Sequence, residues 1–479
     1  MASAFSMSEK KLGITYRWLI VLGCGLLVAI IPRPEGVTRE AWTLLAIFIA
    51  TIVGSIVQPL TGSAIVLLGV IATVIFGALK PFDALKGYAD PVVWIVLAAF
   101  FLSIAVIKTG LGRRIALIFI KAIGRSTYGL GYALVGTDFL LASVVPSNGA
   151  RNGGIMIPIA VAVSESYDSR PDDGTAGRLG TYLVNLLYQC ECIIGATFIT
   201  GHAGNFVLAK LAKETVGIEL TYFGWFAAAI IPSIVSLTLV PAMIYRFFPP
   251  EIKSTPRAAE FATKELTEMG GVSRNEKIVL GTLAAVIFFW VTKDILHPVD
   301  TSIVALAGIG FLLIANVITW SELMGERNAW STFIWYGGLV NMATAIGESG
   351  LTKLFANAVA SHTTGMTWMS ALAILLLIYF YSHYFFASIT AHVLAMFAPF
   401  LVVTLTAGAP AGLAVLFLTY FSTLNASITH YGTTPGPIYF GLGYVKQGNW
   451  WTIGLIASVI NIAVWSTIGL GWWKVLGWW

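Results

Sequence analysis

Nine residues, Pro146-Ser147-Asn148-Gly149-Ala150-Arg151-Asn152-Gly153-Gly154, set small polar groups and one permanent cation into the middle of an apolar segment. The arms on either side, residues 139–145 and 155–161, each fall well short of the ~20 residues that cross a bilayer as a helix. Two arrangements fit: a re-entrant hairpin with a polar tip, or a short extramembrane loop between ordinary segments. The hairpin constrains the fold more. Irregular backbone at membrane depth is tolerated only where protein buries it or where it lines a watery cavity. Arg151 at such a tip is costly in lipid and is read first as a functional residue.

The pattern recurs. Ser388-Ile389-Thr390-Ala391-His392 aligns without a gap on Ser147-Asn148-Gly149-Ala150-Arg151, and Lys108-Thr109-Gly110-Leu111 aligns on Glu348-Ser349-Gly350-Leu351 at nearly the same separation. Apolar segments, 92–107 and 333–346, precede both. Two halves interrupted at matching places point to a transporter whose site lies at the repeat interface. An odd number of spans per half makes the repeat inverted.

Composition agrees. Hydrophobic residues make up 57% of the 479 and charged residues 11%, against about 25% charged in globular proteins. Several apolar runs reach spanning length, so the expected class is an all-α polytopic membrane protein. The net charge of +5 sits in short loops and gives no reason to expect nucleic acid. Cys24, Cys190 and Cys192 lie in apolar segments without a metal or disulfide pattern and read as small packing residues.

In chain order, residues 1–40 hold an uncleaved first span near 18–31, with Lys10, Lys11 and Arg17 placing the N-terminus in the cytoplasm. Residues 41–245 form the first repeat, with spans at 41–60, 61–79 and 92–111, a hairpin near 128–165 and a broken helix near 181–215. Arg113, Arg114, Lys121 and Arg125 read as a cytoplasmic loop. Residues 246–277 read as a cytoplasmic linker carrying an amphipathic surface helix. Residues 278–479 form the second repeat, with a hairpin near 368–403, a broken helix near 411–440 and a last span at 451–470. The helix breaks are read from Gly201-His202-Ala203-Gly204-Asn205 and from residues 425–437, where Pro435 and Pro437 cannot continue a helix. The terminal Trp472-Trp473 and Trp478-Trp479 pairs read as an interfacial anchor.

Two serine-bearing tips and two broken helices resemble the divalent anion:sodium symporter family, in which a Ser-Asn-Thr motif occupies each tip. The tips here are Ser147-Asn148-Gly149 and Ser388-Ile389-Thr390. The phrases PSNGARNGG and THYGTTPGPIYFGLGY resemble the exchanger branch, which includes citrate/succinate, tartrate/succinate and plastid 2-oxoglutarate/malate antiporters. The resemblance covers nearly the whole chain. It implies about eleven spans, two hairpins, an inverted repeat, a homodimer and an elevator motion. By motif position it implies substrate contacts at Ser147, Asn148, Gly149, Ser388, Thr390, Thr433, Thr434 and Pro435. Gly149 lacks the family's threonine hydroxyl. Ile389 replaces an asparagine of a sodium site and offers no oxygen ligand.

A dicarboxylate can be held by hydroxyls, amides and helix N-termini, but these do not cancel its net charge. Arg151 and His392 stand at equivalent tip positions and are expected to supply part of that charge. The other reading of Arg151 is a brace paired with Asp138 or Glu191. His202, His383, His392 and His430 fall in the special stretches, but no pair has the close helical spacing of metal ligands, and no nucleophile elbow or phosphate loop points to an enzyme. The expected function is exchange of di- or tricarboxylates without sodium, cofactor or resident metal. The alternative is a sodium-coupled dicarboxylate or sulfate symporter. The short N-terminus, without a Ser/Arg-rich transit peptide, points to a bacterial inner membrane.

Overall fold

The computed structural model describes residues 2–145, 147–351 and 367–479, with side chains from residue 13 onward. Pro146 of the first tip and the side chains of Lys10 and Lys11 lie outside the described residues. Those residues form helices and no strands. Among the described residues, nine helices are long and apolar enough to cross a membrane, and two shorter apolar helices, Gly62–Ile75 and Thr301–Ile314, join them. The segment Gly13–Ile30 is only 6% buried. Its exposed Leu19, Leu22, Leu26 and Ile30 therefore need lipid around them. The helix it belongs to runs from Ala2 to Ile30, longer than the span expected from the sequence.

Local chemistry sets the repeat boundaries. Asp90 caps the helix Pro91–Thr109 by accepting from Val92 N at 2.9 Å, and proline fits its first turn, where no intrahelical donor is required. That helix ends at Gly110 with φ +75°. In the second half, Arg327–Glu348 runs to Gly350 with φ +81°. Both glycines take the left-handed stop that a side chain disfavours.

After Gly110 the structure departs from the expected cytoplasmic loop. Leu111–Ile123 is a helix that buries Ala116, Leu117 and Ile120 and exposes Arg113 and Lys121. The linker helix Pro256–Glu268 lies along it, burying Ala258, Ala259 and Ala262. Arg113 pairs with Glu265, and the buried Arg114 pairs with Glu276 at 2.5 Å. The cations obscured this helix because they fall on both its exposed face and its docking edge.

The first hairpin is Thr127–Ala142, a tip, and a return arm. The return arm starts with Asn148–Arg151, passes through a π-helical turn at Asn152–Met156 and ends with Ile157–Ser166. The wide turn, where Ile157 N–H donates to Asn152 O, sits just ahead of Pro158, which has no N–H to donate back into the helix. The second hairpin is Trp368–Tyr381, a 3₁₀ turn at Ser382–Phe385, and Ile389–Thr406.

Both broken helices are present. Gly180–Thr197 gives way to Ile199–Gly201 and then Ala203–Val216. Ala411–Leu424 gives way to Asn425–Ile428, irregular backbone, and the short Gly436–Gly441. Buried side chains satisfy the carbonyls bared at each break. Asn205 Nδ2 donates to Gly195 O at 2.7 Å and Phe198 O at 2.9 Å. Tyr188 OH donates to Ala426 O at 3.1 Å and Thr429 O at 2.6 Å, and Gln189 Nε2 donates to Ser427 O at 3.1 Å. Residues of the first half thus hold the break of the second, as unpaired backbone at membrane depth demands.

The last helix also departs from expectation. Helical structure runs from Gln447 to Val475 through a π turn at Trp465–Gly469. Trp473 is fully buried, stacks on Tyr420 at 5.8 Å between ring centroids, and donates to Ala228 O at 2.9 Å. It is a packing residue, not an interfacial anchor. Its indole found a carbonyl partner inside, which removes the reason to seek the headgroups.

Candidate functional site

One cavity of about 930 Å³ lies where the hairpin tips, the helix breaks and the repeat-end helices meet. Ser147, Asn148, Gly149 and Ala150 line it from the first tip, and Ser388, Thr390 and Ala391 from the second. His202 and Ala203 line it from the first break, Thr433 and Thr434 from the second.

Three helix starts open onto this cavity, each capped by a lining residue, and the lining Thr433 accepts from the first N–H of the short helix Gly436–Gly441 beside them. Ser147 Oγ accepts from Ala150 N at 3.1 Å, and Ser388 Oγ accepts from Ala391 N at 3.5 Å. His202 Nδ1 accepts from Gly204 N at 2.9 Å, and Thr433 Oγ1 accepts from Gly436 N at 3.1 Å. Serine and threonine caps leave the hydroxyl hydrogen free to donate elsewhere. His202, accepting through Nδ1, keeps its other nitrogen as a donor. Each start also carries a partial positive charge from the helix dipole. The arrangement presents donors without fixed charge. Lys108, the cation among the described lining residues, is committed to Glu322 at 2.7 Å.

Ser147, Asn148, Gly149, Ser388, Thr390, Thr433 and Thr434, all expected as contacts from motif position, line this one cavity. Arg151, His392 and Pro435 do not. Arg151 is fully buried behind the first tip. Its Nε donates to Asp138 Oδ1 at 2.8 Å, and its Nη1 to Val145 O at 2.5 Å and Gly201 O at 3.0 Å. It ties the outer arm, the tip and the first helix break together, and Asp138 takes up its charge. The bracing reading therefore fits Arg151, and the expectation that it faces the substrate does not. His392 is buried likewise, with Nε2 2.9 Å from Ser382 Oγ and 3.1 Å from Tyr379 O. Pro435 immediately precedes the short helix Gly436–Gly441 and shapes its start. The side chain of Ile389 is buried at the head of the second return arm.

His202 was missed as a lining residue. Its signal was present, since a side chain able to accept stands directly before Ala203-Gly204 at a helix start. Glu191 was noticed only as a partner for Arg151. It lies 2.7 Å from Asn148 Nδ2 instead.

A family model described as the sodium:sulfate symporter transmembrane region matches residues 13–479. The chain is 43% identical over 461 residues to the "Putative malate transporter YflS" of Bacillus subtilis, covering 96% of each. It is 40% identical over 463 residues to the chloroplastic dicarboxylate transporter 1 of Arabidopsis thaliana, covering 96% of this chain and 83% of that one. It is 32% identical over 483 residues to the inner membrane protein YbhI of Escherichia coli, covering 98% and 99%. Among solved structures, the YdaH transporter of Alcanivorax borkumensis has a similar fold, with a TM-score of 0.53 at 16% identity over 98% and 99% of the two chains.

Proposed function

The chain belongs to the sodium:sulfate, or divalent anion:sodium, symporter family, and on that premise we propose that it exchanges dicarboxylates across a bacterial inner membrane. The observation that carries this reading is the convergence of three capped helix starts and the Thr433 hydroxyl on one cavity. Such a site solvates carboxylate oxygens with hydroxyl and backbone N–H groups. The names of the relatives, a putative malate transporter and a dicarboxylate transporter, favour malate and other dicarboxylates; succinate, 2-oxoglutarate, tartrate and citrate are the further members of the class in this reading.

Exchange follows from the physics of the empty carrier. Helix starts that have lost their ligand keep unsatisfied donors and partial positive charge. Moving them through a low-dielectric passage is costly, so the return step runs with a second anion aboard. Buried Ile389, which offers no oxygen ligand to sodium, favours sodium independence. In this reading the hairpins and broken helices move together as an elevator within a homodimer. Exposed Arg113, Lys121 and Lys264, on two helices that pack together, favour a cytoplasmic orientation of that face and of the N-terminus.

The family description favours a second reading: sodium-driven symport of a dicarboxylate or sulfate, with Asn148 at an ion site. Counterflow in sealed liposomes separates the two. Exchange predicts labelled dicarboxylate uptake that needs an internal carboxylate and is indifferent to sodium. Robust uptake into empty liposomes on a sodium gradient would leave symport standing instead.

A further inference from the structure

Behind the first tip lies a buried carboxylate with no cation committed to it among the described residues. Glu191, in the middle of Gly180–Thr197, is 2% exposed. Its Oε1 accepts from Asn148 Nδ2 at 2.7 Å, and its Oε2 meets only the weak donor Sγ of Cys192, at 3.2 Å. The groups around it are engaged elsewhere, except Arg151 Nη2, a buried donor without a hydrogen-bond partner among the described residues. From the outer arm, Asp138 pairs with Arg151 of the return arm. From Gly436–Gly441, Tyr439 OH donates to Asn152 Oδ1 at 2.6 Å. On its own helix, Tyr188 donates to the carbonyls of the second break, and Cys190 is a buried thiol. Arg151 thus donates to Asp138 and makes no hydrogen bond or ion pair with Glu191. Burial without a committed cation makes the charged form of this carboxylate costly, so its proton binding responds to any further negative charge placed nearby.

Asn148 lines the cavity and touches Glu191 directly, so one amide separates this carboxylate from the site. Resting on the carboxylate site proposed above, we infer that Glu191 takes one proton from water onto Oε2 as a dicarboxylate seats on Asn148. Seating a dianion one residue away sets like charges against each other in a low dielectric, and a proton on Glu191 removes that repulsion. The coupling is reciprocal: proton binding tightens substrate binding by the factor that substrate tightens the proton. Glu191 is a positioning and charge-compensating residue in this scheme. It does not itself touch the substrate.

Titration calorimetry of the purified protein with succinate tests this, above about pH 7 where both substrate carboxylates are ionised. Runs in buffers of different ionisation enthalpy are expected to give different heats for the wild type, reporting proton uptake approaching one per succinate. Glu191→Gln is expected to bind succinate with heats independent of buffer. Buffer-independent heats in the wild type, or unchanged buffer dependence in Glu191→Gln, would overturn the inference. If Glu191→Gln does not fold, wild-type affinity carries the test: Kd should fall by about tenfold per unit drop in pH within the uptake range, and a flat profile overturns the scheme. Absence of binding heat from any carboxylate overturns the site itself, and this inference with it.

Discussion

Arg151 and Asp138 form an ion pair sealed inside the first hairpin, Nε to Oδ1 at 2.8 Å, with side chains 0% and 2% exposed. Breaking such a pair from one side leaves an uncompensated buried charge, which costs about 3–5 kcal/mol. Arg151→Ala is therefore expected to lower the melting temperature of the unliganded protein sharply, because it also releases Val145 O and Gly201 O. Asp138→Asn combined with Arg151→Gln should recover part of the loss, since neither partner is then left charged. A normal melting curve for Arg151→Ala, with loss only of protection by substrate, would return Arg151 to the substrate-facing role.

Ser147 and Ser388 are expected to behave as a matched pair, since each caps the helix starting at its own tip and each lines the cavity. Alanine at either position should weaken dicarboxylate binding by about 1–3 kcal/mol. Ser147→Asp gives a sharper contrast. Aspartate caps a helix as well as serine does, so stability should hold, but a carboxylate in the site should repel the substrate and abolish binding. Calorimetry together with thermal melts separates the two effects.

Gly149 stands where the family motif has threonine, and a Cβ there would lie 3.2 Å from Thr434 Cγ2. Gly149→Thr alone is expected to slow exchange, because Thr434 must give way. Gly149→Thr with Thr434→Ala should restore much of it, a coupling that contact between the two positions requires. Initial exchange rates of both single variants and the double variant check this. Simple additivity would show that the two side chains do not compete for the same space.

Much of this architecture was legible in the sequence. Both hairpins, both helix breaks, the linker helix and the paired glycines at 110 and 350 were visible as interruptions of apolar runs. Hydrophobicity and helix-breaking residues act locally, so their pattern survives in one dimension. The helix Leu111–Ile123 and the burial of Trp473 were not legible, because cationic and tryptophan-rich stretches have the same composition whether they face water, headgroups or protein.

Within the site, the sequence by itself determined which segments break and which polar residues stand at the breaks: Ser147, His202, Ser388 and Thr433. Tertiary structure decided where their charged neighbours go. Arg151 lies four residues from Ser147, and His392 four from Ser388, spacing that placed both on the tips as expected substrate contacts. Folding turned Arg151 onto Asp138 and His392 onto Ser382 and Tyr379, and left Glu191 facing Asn148. The reason is that a charge in a low-dielectric interior is governed by its nearest partner, and the partners here come from helices that only the fold brings together.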